Sequence, residues 1–93
     1  MIEKLEEKDV LSFAFFKYGG VFSGSFDSLA FRYRIGREGT KPDFMLKAQV
    51  WKGPEAYDRQ NEETLTGRTF SYSEEGREEA IRWVQKKYEE FML

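Results

Sequence analysis

The chain has 93 residues, 40 % of them apolar and 34 % charged, with nine Phe, five Tyr and two Trp; that suffices for one compact core and leaves no length for a second domain beside 1–93. A formal charge of −2 argues against general nucleic-acid binding, which needs clustered Lys and Arg to neutralise several phosphates. The chain contains neither Cys nor His, which excludes thiol nucleophiles, imidazole-based triads and zinc sites built on those ligands.

The first ten residues, MIEKLEEKDV, are charged where a signal peptide needs an apolar run, and nothing approaches the roughly 20 apolar residues of a membrane helix. A soluble, cytoplasmic protein without membrane contact is expected. Leu11, Ala14, Phe15 and Tyr18 fall at helical spacing ahead of Gly19-Gly20, a pair suited to a left-handed cap, and predict a first helix over about 2–18. The competing reading takes SFAFFKY as a strand because of its three Phe and one Tyr.

GGVFSGSFDSLAFRYRIG predicts two strands, about 21–23 and 29–36, around a Gly-Ser-Phe-Asp-Ser turn. Leu29, Phe31, Tyr33 and Ile35 share one face of the second, and Ala30, Arg32 and Arg34 the other. A third strand over about 44–52 turns Phe44, Leu46, Ala48 and Val50 inward and Met45, Lys47, Gln49 and Trp51 outward, and ends before Pro54, which has no amide hydrogen for a ladder. The polar stretch 54–65 lacks either periodicity and is long enough for a functional loop. A last strand, about 67–72, leads through a capping-box spacing from Ser71 to Glu74 into a final helix, with Ile81, Val84, Tyr88 and Phe91 as its apolar stripe. The expected fold is α+β: a single four-stranded antiparallel sheet with an N-terminal and a C-terminal helix packed on one face.

Charge is segregated along the middle of the chain. Between 28 and 52, Arg32, Arg34, Arg37, Lys41, Lys47 and Lys52 stand against Glu38 and Asp43, a local +4. Between 53 and 63, Arg59 stands against Glu55, Asp58, Glu62 and Glu63, a local −3. Adjacent antiparallel strands bring Arg32 and Arg34 beside Lys47, Gln49 and Trp51 on the outer sheet face, a mixture found at protein interface hot spots. These five residues and the acidic Glu55, Asp58, Glu62 and Glu63 are the two candidate binding sets. Solubilising or edge-protecting arginines account for the same pattern.

Other chemistry is weakly represented. The glycines of YGGVFSGS match neither the phosphate loop nor the dinucleotide fingerprint and read as a cap and a hairpin turn. Asp27, Asp43, Asp58, Glu62 and Glu63 show no spacing that pairs two carboxylates for acid/base work, and no metal or other cofactor is implied. The helix–strands–helix layout is that of double-stranded RNA readers, but the last helix opens with Glu74-Glu75 and ends with Glu89-Glu90, the wrong sign for phosphate.

YGGVFSGS, RYRI, VWKGP and FSYSEEGREEAIRWVQKKYEE together resemble a group of short uncharacterised proteins of bacterial and phage genomes, some of which carry an acetyltransferase label. The Arg/Gln-x-x-Gly-x-Gly/Ala pyrophosphate loop of such acyltransferases has no counterpart in this chain. What the resemblance implies is a phage or mobile-element setting, in which small proteins commonly block a host machine. The leading expectation is therefore a non-enzymatic binding module that inhibits a host defence protein. A nucleotide or anionic small-ligand binder using Arg32, Arg34 and Lys47 is an alternative, as is a minimal acyltransferase. A homodimer covering the outer sheet face would also account for an outward Trp51.

Overall fold

In a computed structural model, which describes residues 4–28, 30–61 and 63–93, the alternation of Phe31, Tyr33 and Ile35 with Arg32 and Arg34 becomes strand β2 (Phe31–Glu38). It pairs antiparallel with β1 (Phe22–Phe26) on one side and β3 (Met45–Lys52) on the other, and β3 pairs with β4 (Thr66–Phe70). The sheet order β1-β2-β3-β4 is that of an antiparallel meander. With two helices, α1 (Phe13–Lys17) and α2 (Glu74–Met92), the fold is α+β.

Phe31, Tyr33, Ile35, Leu46, Ala48 and Val50 are buried as their alternation predicts, and form one core with Ala80, Ile81, Val84 and Tyr88 of α2. The Tyr88 ring stacks on Phe26 at 4.0 Å between centroids, nearly parallel at 9°, and Phe91 packs 4.9 Å from Phe31. The α2 stripe follows its 3.6-residue period. Its N-cap is Ser73, whose Oγ accepts the Gly76 amide hydrogen at 3.0 Å, in place of the box expected from Ser71 to Glu74; Ser71 Oγ instead lies 2.7 Å from Ser73 Oγ.

Two expectations about the hairpins shift. The third strand starts at Met45, with Phe44 half-buried just before it, and β1 runs on through Phe26 rather than turning at Gly24. Gly24 sits opposite Tyr33, where any side chain would collide with the phenol ring, so the glycine serves the pairing and not a turn. The reversal falls instead on Asp27 and Ser28, at φ 49° and 60°, a region that Asp tolerates. Leu29, expected inward, lies outside the described residues, as do residues 1–3 of the expected first helix.

The N-terminal segment departs most from expectation. A 3-10 turn over Glu7–Asp9 and the five-residue α1 replace a continuous helix, because Val10 and Ser12 are extended. Leu11, Ala14 and Tyr18 of the expected stripe are exposed, and Val10 and Phe16 are buried instead. The physical reason is a tertiary contact that overrides local spacing. Arg77, only 7 % exposed on α2, bonds to Glu74 Oε1 from Nη2 at 2.7 Å and points Nη1 at the Glu7 and Val10 carbonyls at 3.3 and 3.5 Å. The Leu5 amide donates to Gln85 Oε1 at 2.6 Å. These bonds hold the segment extended along α2. Gly19 does cap α1, at φ 85° with its amide on the Phe16 carbonyl, and Arg37 Nη1 donates to the Lys17 carbonyl at 3.1 Å.

Candidate functional site

Arg32 faces Trp51 across the β2–β3 ladder and Arg34 faces Gln49, so both arginines lie on the sheet face turned away from Tyr33, Ala48 and the α2 core. The adjacency expected of Arg32 and Arg34 with Gln49 and Trp51 on the outer face is therefore present, in a register that the sequence left open. Its exposure is not: Trp51 is 3 % exposed and Gln49 7 %. The polar connection that follows β3 turns back over Trp51 and covers it. The indole Nε1–H donates to the Glu55 carbonyl at 2.8 Å, the Arg32 Nη1–H donates to the Pro54 carbonyl at 2.9 Å, and the Tyr57 ring lies 5.8 Å from the indole and 4.4 Å from the Arg34 guanidinium. Lys47, the remaining cation of the expected set, pairs with Glu38 at 3.0 Å. Arg32, Arg34 and Lys47 thus bind their own chain rather than converging on one anion position.

The connection itself is ordered by hydrogen bonds within it. A 3-10 turn over Tyr57–Arg59 places the Arg59 and Gln60 amides on the Ala56 and Tyr57 carbonyls at 3.0 Å each. Asn61 Oδ1 accepts from the amides of Glu63 and Thr64, and Thr64 Oγ1 accepts from the Asn61 amide at 2.9 Å, closing a side-chain-stabilised turn. The Gly53 amide donates to the Ala30 carbonyl at 2.8 Å, fixing where the connection leaves the sheet. Glu55, Asp58 and Glu63 project from this frame into solvent; Glu62, the fourth acidic candidate, lies outside the described residues.

Between the connection and the C-terminal half of α2 is a cleft of about 750 Å³. Phe31, Val50, Trp51 and Phe91 supply its apolar floor, and Lys52, Arg59 and Lys87 alternate with Glu55, Glu63 and Glu90 around its rim. Of the nine expected site residues, Trp51, Glu55 and Glu63 line it, while Arg32, Arg34, Lys47, Gln49 and Asp58 do not. Tyr57, which joins the outer face to the connection, was missed at the level of sequence. Its signal was one aromatic residue in an otherwise polar loop, six positions after Trp51.

The groups whose ionisation is displaced sit on the helical side. Burial raises the Tyr33 hydroxyl pKa, and the charge of Asp9 adds to the rise. The Arg77 hydrogen bond lowers the Glu74 carboxyl, and the Glu7 carboxylate raises that of Glu78. Among the described residues no three carboxylates gather within reach of one metal ion, and no helix is long and apolar enough to cross a membrane.

Compared with family models, curated proteins and solved structures, the chain matches none.

Proposed function

We propose that the chain is a non-enzymatic binding module that presents the connection 53–65 to a host protein, a defence protein in the phage or mobile-element setting, and blocks it by occupying a basic surface. The observation that carries this reading is the hold of the sheet on the connection: Trp51 and Arg32 bond to its Glu55 and Pro54 carbonyls, and Arg34 lies against its Tyr57 ring, in the segment that displays Glu55, Asp58 and Glu63. A loop fixed in its bound shape before association loses less conformational entropy on binding, so sequence invested in holding a loop is invested in affinity. The exposed carboxylates of the connection, Glu55, Asp58 and Glu63, suit a partner of opposite charge and would speed its encounter. In this reading Arg32, Arg34, Gln49 and Trp51 support the binding surface, and Glu55, Asp58, Glu62 and Glu63 form it. Helices packed on one face of the sheet would leave the opposite face to this role.

The test is capture from host lysate by the tagged protein, in parallel with the Glu55→Lys/Asp58→Lys/Glu63→Lys variant. A stoichiometric protein retained by the first and lost by the second, at equal thermal midpoint, is the expected result. Retention of that protein by the charge-reversed variant removes the connection from consideration. Release of a nucleotide when the purified protein is denatured would favour the small-ligand alternative, with the cleft beside Trp51 as its seat.

A further inference from the structure

Strand β1 is an edge of the sheet and carries a sequence that reads the same in both directions: Phe22-Ser23-Gly24-Ser25-Phe26. Among the described residues, no backbone hydrogen bond from any segment other than β2 reaches it. Ser23 and Ser25 are exposed, and the strand contains no charge and no proline, the usual devices that stop an edge from pairing. The opposite edge differs: β4 has Arg68 at its centre, so pairing it with its own copy about that residue would set like charges face to face.

We propose that β1 pairs antiparallel with β1 of a second copy of this chain, about a two-fold axis at Gly24, joining the two sheets into one continuous sheet. An isologous contact requires a self-complementary surface, and a palindromic strand supplies one residue by residue. Phe22 of one copy then meets Phe26 of the other on the face shared with Tyr33, where Phe22 is only half-buried. Ser23 meets Ser25 on the opposite face, where paired hydroxyls hydrogen-bond across the seam, and Gly24 meets Gly24 with no side chain to separate the backbones. Ser23 and Ser25 face Arg34 and Arg32 within their own chain, so the seam runs between the arginine pairs of both copies. The proposal does not depend on the binding-module reading, because β1 and the connection 53–65 are separate surfaces.

The test is the solution mass by light scattering at about 100 µM protein, a concentration that reads a small interface. The expected value is twice the 11.0 kDa of the chain. In the Ser23→Glu/Ser25→Glu variant the introduced carboxylates face Arg34 and Arg32 in their own chain, which preserves the fold, but oppose each other across the two-fold, so the dimer weakens by about tenfold or more. Mixing that variant with Ser23→Lys/Ser25→Lys restores a heterodimer. A monomeric wild-type chain at that concentration overturns the proposal, and so does a dimer that the glutamate variant leaves unchanged.

Discussion

The Arg34 guanidinium lies 4.4 Å from the centre of the Tyr57 ring, which ties the middle of β2 to the 3-10 turn of the connection. Tyr57 also lies 5.8 Å from the buried Trp51 indole. Replacing Tyr57 with Ala should lower stability by about 1 kcal/mol, the scale of one aromatic pair and one partly exposed cation–π contact. It should also open Trp51 to collisional quenchers, read by fluorescence in a Trp83→Phe background. Tyr57→Phe keeps the ring and should leave both quantities near wild type; a quencher-accessible Trp51 in that variant would contradict the arrangement.

Arg77 is the joint between α2 and the N-terminal segment. Arg77→Met retains an apolar stem but strands the Val10 carbonyl and leaves the Glu7 carbonyl with the Val10 amide as its donor, and should cost about 2 kcal/mol in urea unfolding. The Glu74 carboxyl is held below the ordinary glutamate range, first by its hydrogen bond from Arg77. Its folded pKa lies below its unfolded one, so the stabilisation is complete above the ordinary glutamate value and fades as pH falls through the lowered one. The stability difference between wild type and Arg77→Met should therefore narrow in that acid window. A difference constant with pH would disconnect Glu74 from the effect.

Glu78 has the opposite sign. The Glu7 carboxylate raises its pKa, so the folded protein binds that proton more tightly than the unfolded chain and loses stability as pH rises through the raised value. Glu78→Gln should raise the melting temperature at neutral pH. Below the ordinary glutamate pKa, where both states are protonated, the gain should vanish. A neutral-pH melting temperature at or below wild type would count against the repulsion between Glu7 and Glu78.

Tyr88 combines a ring stack with a hydroxyl that donates to Asp27 Oδ2 at 3.1 Å. Removing the hydroxyl alone, in Tyr88→Phe, should cost about 1 kcal/mol, while Tyr88→Ala should cost about 4 kcal/mol through the cavity it leaves in the fully buried site. Equal losses from the two variants, measured by chemical denaturation, would place the whole effect in the hydrogen bond.

Periodic elements were legible in the sequence because their burial is decided by neighbours at fixed spacing. Ile81, Val84 and Tyr88 follow the helical period, and Tyr33 and Ile35 against Arg32 and Arg34 follow the strand period, so the sheet and α2 could be read directly. Residues whose environment is set by distant chain could not. The Val10 backbone is extended because Arg77, 67 positions away, faces its carbonyl. Trp51 alternates outward as expected yet is covered by a loop without any period. The basic and acidic blocks were visible as composition, but not that the connection between them folds back on the outer face.

Every strand of the sheet pairs with its neighbour in sequence, and β2 and β3, joined by the short turn after Glu38, share eight paired positions. Closing such a hairpin gives up little chain entropy, whereas β4 must wait for the connection after Lys52 to be laid down. Folding should accordingly be fast and polarised, with the β2–β3 hairpin structured in the transition state and the β4 edge consolidating afterwards. A lengthened connection would then leave the folding rate nearly unchanged and act on the rate of unfolding.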